Sequence, residues 1–224
     1  MTDKLILGSV SPRRKELMSL GGWEFDVLPA NVDESMLVDE GAREYVLRIA
    51  EEKARAVSKS MPSGSLVIAA DTTVVDPEGI ILAKPGHERE AYEMLDRLRG
   101  RTHQVLTGVV VLHTQDGRIE REICATKVRM RSYSDQEIQA YIASGDPFDK
   151  AGGYAIQHVE FHPVDEINGC YANVVGLPVC TLTRLLESFG IETTAQVPKG
   201  CPSTDNEACS ICEHLDQNLQ EVYE

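Results

Sequence analysis

Apolar positions along the chain follow two rhythms: short unbroken runs, and longer stretches with a helical period. Residues 5–9, LILGS, read as a short buried strand. Ser11 and Pro12 then open a helix that runs to Leu20. A serine can cap free N–H groups, proline suits the first helical position, and Gly21-Gly22 stop the turn. WEFDVLPANVDES reads as a strand and loop. EGAREYVLRIAEEKARAVSKS is a helix with Ala42, Tyr45, Val46, Ile49, Ala56 and Val57 on one face. The run LVIAA, Leu66 to Ala70, is expected of a strand covered on both faces.

TVVDPEGIILAKP reads as a hairpin turning at Asp76-Pro77-Glu78-Gly79. EREAYEMLDRLRG is an amphipathic helix ended by Gly100, and VLTGVVVLHTQDGRIEREICATKVRM gives two longer strands joined at Asp116-Gly117. Ser134 and Glu137 form a capping box for a helix closed by Gly145. A last helix spans Pro178 to Phe189, with Leu182, Leu185, Leu186 and Phe189 at helical spacing. Hairpins and crossovers together predict an α/β chain with a mixed sheet.

Composition bounds the function classes. In 224 residues, 42% hydrophobic and 26% charged fit a soluble chain with one sizeable domain. No apolar run approaches the ~20 residues of a membrane span. MTDKLILGS is too short for a signal peptide and lacks its cleavage site, so a cytoplasmic location is expected. The net charge of −14 weighs against a nucleic-acid partner, which requires a basic face. Residues 192–224 carry −6 of that charge. They are expected to form a weakly attached acidic extension to a domain at 1–191. Cys124, Cys170 and Cys180 sit in apolar surroundings and read as buried thiols. Cys201, Cys209, Cys212 and His214 lie in the extension, with a spacing that suits zinc or a disulfide, or as incidental residues.

Several residues depart from the local pattern. Arg13 and Arg14 occupy the first turn of a helix whose amino end is already partly positive, a placement that a bound anion would justify. Lys53 falls on the apolar stripe of its helix, where a lysine either snorkels to water or points into a polar cleft. Asp71 follows LVIAA at the expected carboxyl end of a central strand, the place where open α/β sheets gather their ligands. Lys84 ends a hairpin strand, Asp33 and Glu34 sit in a loop, and Asp149-Lys150 precede a glycine pair. Singly these are ordinary surface groups. Together, cations and carboxylates are what a polyphosphate with a divalent metal requires.

The segments SVSPRRKEL, VDES, EEKA, AADTTVV, ILAKP, LRGRTHQVLTGVVV, YIASGDPFDKAGGYAIQ and NGCYANVVGLP, in this order, make the chain resemble the Maf proteins, nucleoside triphosphate pyrophosphatases. The resemblance runs from residue 5 to about 190. It implies a two-lobed α/β fold similar to the inosine triphosphate pyrophosphatases, with the active site in the cleft. It also implies cleavage of a nucleoside triphosphate to the monophosphate and pyrophosphate. Family roles fall on Ser9, Arg13, Arg14, Glu34, Lys53, Asp71, Lys84 and Gln157, with Asp71 at the position of the catalytic base. Arg13, Thr72 and Gln157 match the positions that mark the branch acting on dTTP and UTP. A divalent cation, Mg2+ or Mn2+, would be held by Glu34 and Asp71. The expected partners are the nucleotide and a second copy of the chain in a homodimer, with neither nucleic acid nor membrane. After AIQ the chain departs from the family pattern and reads HVEFHPVDEINGCY. Two rival readings are a nucleotide sensor without turnover and a nucleic-acid-binding regulator of division. The first has no need for Asp71, and the second conflicts with the net charge.

Overall fold

The structure is a computed structural model that describes residues 4–192. Its strands are β1 (Lys4–Leu7), β2 (Phe25–Val27), β3 (Ser65–Val75), β4 (Ile81–Leu82), β5 (Thr102–His113), β6 (Ile119–Met130) and β7 (Val164–Asn168). The helices are α1 (Pro12–Leu20), α2 (Ala42–Ser58), α3 (Glu88–Leu98), α4 (Asp135–Ala143), α5 (Tyr171–Val175) and α6 (Val179–Glu187). Two short 3-10 turns, Asp146–Asp149 and Ala151–Gly153, follow α4.

All seven strands join one sheet in the order β2-β1-β3-β5-β6-β7, with β4 paired to β3 off that path. β1 is parallel to β2 and β3; from β3 through β5 and β6 to β7 each strand runs antiparallel to the next. The mixed sheet is as expected. β1 pairs with β3 only as far as Ile68, and β4 takes up the same edge at Val74. Between them, residues 69–73 of β3 have no strand on that side. This gap positions the site.

Strand alternation sends apolar side chains to both faces, and three clusters cover them. On one face Ala50, Ala54 and Val57 of α2 pack on Ile6, Val67, Ala69, Val110 and Leu112. On the other, Leu17 and Met18 of α1 and Leu182, Leu185 and Leu186 of α6 pack on Leu7, Leu66, Ile68, Val109 and Val111. Farther along, Leu95 and Leu98 of α3 with Ile138 and Tyr141 of α4 close over Val74, Val105, Val128 and Met130. Each fully enclosed leucine contributes roughly 2 kcal/mol. The expected two lobes lie along one continuous sheet, one under α1, α2 and α6 and the other under α3 and α4.

At Gly108 on β5 the helix α2 lies close against the sheet. A Cβ there would lie 2.6 Å from the Val46 carbonyl oxygen of α2. Only glycine allows the helix to rest directly on the strand.

Several local expectations change. Ser11 makes no side-chain capping bond, although Pro12 does occupy the first turn. The buried stripe of α2 includes Ala50 and Ala54, whereas Ala42 and Ala56 are only partly covered. β3 does not end at Ala70 but runs on to Val75, so Asp71 lies within the strand rather than at its carboxyl end. Ten consecutive pairings with β5, from Leu66 to Val75, carry the strand past that acid. β7 and α5 are additional elements; VDEIN is half-exposed and YANVV is too short to show a period. The capping box of α4 is present, with Ser134 Oγ accepting from Glu137 N at 3.3 Å. Cys124, Cys170 and Cys180 are buried as expected. Cys201, Cys209, Cys212 and His214 lie outside the described residues.

Candidate active site

At the gap in the β3 edge, a cleft of about 630 Å³ opens between the two lobes. Its lining includes Ser9, Arg13, Arg14, Glu34, Lys53, Thr72, Lys84 and Gln157. Asp71 sits against it through Lys53. Every site residue expected from the sequence is therefore gathered at one place, from six separate segments of the chain.

Lys53 is the centre of the carboxylates. Its Nζ donates to Asp71 Oδ1 at 2.8 Å and lies 2.6 Å from Glu34 Oε1. Both Lys53 and Asp71 are over 90% buried. The lysine does not snorkel to water: two carboxylates receive it instead, which is the condition for holding a buried ammonium. Burial raises the Glu34 carboxyl, but its bond to Lys53 and the charges of Lys84 and Arg14 outweigh that and hold it below the usual value. Tyr45 of α2 donates to the Glu34 carbonyl at 2.9 Å and so fixes the loop. Its own hydroxyl is pushed up to about 12, by burial first and then by the charges of Asp71 and Glu34.

The two arginines of α1 divide. Arg14 turns inward: Nε donates to the Gly176 carbonyl at 2.9 Å, Nη1 to the Ala70 carbonyl at 2.8 Å and Nη2 to Thr72 Oγ1 at 3.2 Å. The Ala70 carbonyl belongs to the uncovered edge of β3, so the guanidinium stands in for the missing strand. Burial lowers its pKa, against the charge of Asp71. Two of its five N–H groups remain for a ligand. Arg13 lines the cleft, and its charge acts on Asp149.

Alternation along β3 places Thr72 on the face opposite Asp71. Thr72 Oγ1 meets Thr107 Oγ1 at 2.9 Å, and Thr107 donates to the Asn173 carbonyl at 3.2 Å. Asn173 Nδ2 bonds Val105 O and Thr126 Oγ1. This buried polar seam divides the two cores on that face. It is invisible in the sequence, because single threonines and an asparagine inside apolar runs carry no pattern of their own.

The remaining charged candidates separate clearly. Asp33 bonds the backbone and hydroxyl of Ser35 and forms the turn rather than the cleft. Asp149 pairs with Lys150 Nζ at 2.5 Å, and Lys150 also donates to the Asp146 carbonyl at 2.7 Å. Asp146, Asp149, Lys150, Gln157 and His158 also line the cleft.

Among the described residues no helix is long and apolar enough to cross a membrane, and no three His, Cys, Asp or Glu residues group as a metal cluster. The arrangement is a cradle of cations around a buried lysine–dicarboxylate centre, suited to a chain of phosphates.

Comparison with known proteins agrees with the sequence motifs. The Maf-like protein family model matches residues 4–189. The chain is 44% identical over 190 residues to the dTTP/UTP pyrophosphatase of Dehalococcoides mccartyi, covering 84% of this chain and 83% of that one. It is 42% identical to the dTTP/UTP pyrophosphatase of Syntrophus aciditrophicus, over 85% of this chain and 92% of the relative. A solved HAM1 protein from Coxiella burnetii has a TM-score of 0.40 at 13% identity, over 58% of this chain and 74% of that one. With the family model spanning nearly all of the described residues, the chain belongs to the Maf-like protein family.

Proposed function

We propose that this protein hydrolyses dTTP and UTP, and modified pyrimidine triphosphates, to the monophosphate and pyrophosphate, removing such nucleotides from the pool in the cytoplasm. The observation that carries the reading is the Asp71–Lys53–Glu34 centre within a cleft lined by Arg13, Arg14 and Lys84. The names of the relatives support the substrate class.

The roles follow from chemistry. The α1 amino end, Arg13 and the two remaining N–H groups of Arg14 take phosphate oxygens, since guanidinium matches them bidentately and helix N–H groups add fixed positive charge. Lys84 adds a point charge. Ser9, whose Oγ accepts from Ser11 N at 3.3 Å, stands at the mouth of the same helix. Thr72 and Gln157 face the nucleotide. Lys53 fixes the direction of Asp71, and Asp71 accepts a proton from the attacking water. The anhydride between the α and β phosphates opens, and water supplies the oxygen and the protons.

A divalent cation, Mg2+ or Mn2+, fits the donors. Glu34 and Asp71 each turn one oxygen to Lys53, leaving the second available, and magnesium held with phosphates needs only one or two carboxylates. When bound, it would neutralise charge on the phosphate oxygens. The net charge of −14 argues for a partner other than nucleic acid, and we take the working form to be a homodimer. A sensor without turnover is not favoured, because an anion cradle has no use for a buried carboxylate at its centre.

The test is a screen of common and modified triphosphates with separate detection of pyrophosphate and phosphate. Pyrophosphate release from dTTP and UTP is expected. Direct release of single phosphates would overturn the cleavage position, and preference for purine triphosphates would overturn the base assignment.

A further inference from the structure

The cleft has two chemically different ends. At one, Lys53, Lys84 and Arg14 surround Glu34 and Asp71, which suits phosphates. At the other stand two acids, Asp146 and Asp149, with Lys150 drawn onto Asp149. With Asp149 paired to Lys150 and within the field of Arg13, this end carries little net charge and suits the neutral, hydrogen-bonding part of a nucleotide. His158 lies at this second end, immediately after Gln157.

The structure fixes the tautomer of the neutral His158 ring. Its Nδ1 accepts the backbone N–H of Phe161 at 3.0 Å, so in the neutral ring the proton sits on Nε2. Nε2 is 3.7 Å from Asp146 Oδ2, beyond hydrogen-bond length but close enough for the carboxylate to orient the N–H. The ring is held edge-on against Tyr141, with centroids 4.7 Å apart. Tyr141 in turn is fixed by accepting the Ala155 N–H at 3.0 Å. The side chain remains 16% exposed and lines the cleft. A rigid imidazole with one aimed donor and no partner at hydrogen-bond distance for it among the described residues is a recognition group awaiting an acceptor.

We propose that His158 is a specificity-determining residue, whose Nε2–H donates to a ring carbonyl oxygen of the pyrimidine base, with Asp146 orienting the donor. The inference rests on the proposed nucleotide pyrophosphatase reading and adds the place where the base is read. It concerns a part of the chain, HVEFH, that departs from the family motifs.

The test separates base from phosphate by binding. Calorimetry would measure the Kd of a non-hydrolysable α,β-imido analogue of dTTP and of inorganic tripolyphosphate. His158→Asn keeps an acceptor near the position of Nδ1, and so the turn to Phe161, but deletes the donor at Nε2. His158→Gln places an amide near Nε2 and gives up the turn contact. One hydrogen bond corresponds to a loss of roughly fivefold to tenfold. His158→Asn is expected to weaken the dTTP analogue by that factor and leave tripolyphosphate unchanged, with His158→Gln closer to the unaltered protein. Equal weakening of both ligands, no weakening of either, or a larger defect in Gln than in Asn would overturn the role. Failure of the unaltered protein to cleave any triphosphate, with the analogue bound and discriminated as above, would overturn the pyrophosphatase reading alone and leave the base contact standing.

Discussion

Asp71 and Gly108 face each other across the β3–β5 ladder, and the missing side chain at Gly108 is what allows Lys53 to reach Asp71. α2 settles on the sheet at Val46, beside that glycine. Seven residues on, two turns along the same helix, Lys53 arrives at the carboxylate. The distance between a helix and a strand thus sets a distance inside the site.

Gly108→Ala is expected to lower stability by about 1–3 kcal/mol, because the added methyl meets helix backbone rather than a yielding side chain. Turnover should fall further than stability alone explains. Denaturant melts and kcat together check this; an unchanged melt with normal turnover would mean that α2 is free to shift.

Asp71→Asn is expected to fold normally and lose on the order of 10²-fold in kcat, since the amide keeps the shape but cannot take a proton. Lys53 would still have Glu34 as a partner. Near-normal turnover of dTTP would remove Asp71 from the mechanism.

The neighbouring arginines should part company. Arg14→Ala leaves the Ala70 and Gly176 carbonyls and Thr72 without their donor, and a loss of about 2–4 kcal/mol is expected. Arg13→Ala should leave the melt unchanged and raise KM. Equal thermal shifts in both variants would contradict the division of labour.

Much of this was legible in the sequence. The residues that the motifs single out line or adjoin one cleft, and the Ser134–Glu137 box stands where its spacing placed it. What stayed hidden has physical causes. Asp71 and Thr72 lie inside β3 because the β5 ladder continues beneath them, and a charge after an apolar run looks like an end when its partner comes from a distant helix. Arg14 looked like a pure ligand for anions; three of its donors serve carbonyl and hydroxyl groups that only the folded chain brings near. His158 had no neighbours in sequence to announce it.

His103 supplies a pH dependence. Its Nε2 meets Tyr154 Oη at 2.8 Å, Nδ1 has no hydrogen-bond partner among the described residues, and burial pushes the ring from 6.5 down to about 4. The unfolded chain therefore binds a proton that the folded chain refuses between those values. Stability is full above pH 6.5 and is lost as pH falls toward 4, by about 3 kcal/mol in all. Denaturant melts at pH 7 and pH 5 should differ by about 2 kcal/mol more in the native protein than in His103→Gln. Equal differences would show that this ring does not titrate on unfolding.

All named site residues fall within 4–192. Truncation near Val197 is accordingly expected to preserve folding and pyrophosphate release. Metal analysis before and after truncation checks the cysteines: one equivalent of zinc lost with the segment would assign them a site, and a fall in turnover would tie that segment to the cleft.

Three strands, β3 of 11 residues and β5 and β6 of 12 each, pass unbroken beneath both cores. A protein whose halves are joined by a linker can open and shut like a jaw. Here any such movement would have to bend or twist a ladder of continuous hydrogen bonds, so large hinge closure around a nucleotide is disfavoured. The span from the lysine centre to the far acids is then nearly constant, and the cleft works as a fixed gauge. It selects by the length and edge chemistry of what is laid in it, and its adjustable parts are the loops and side chains at its rim.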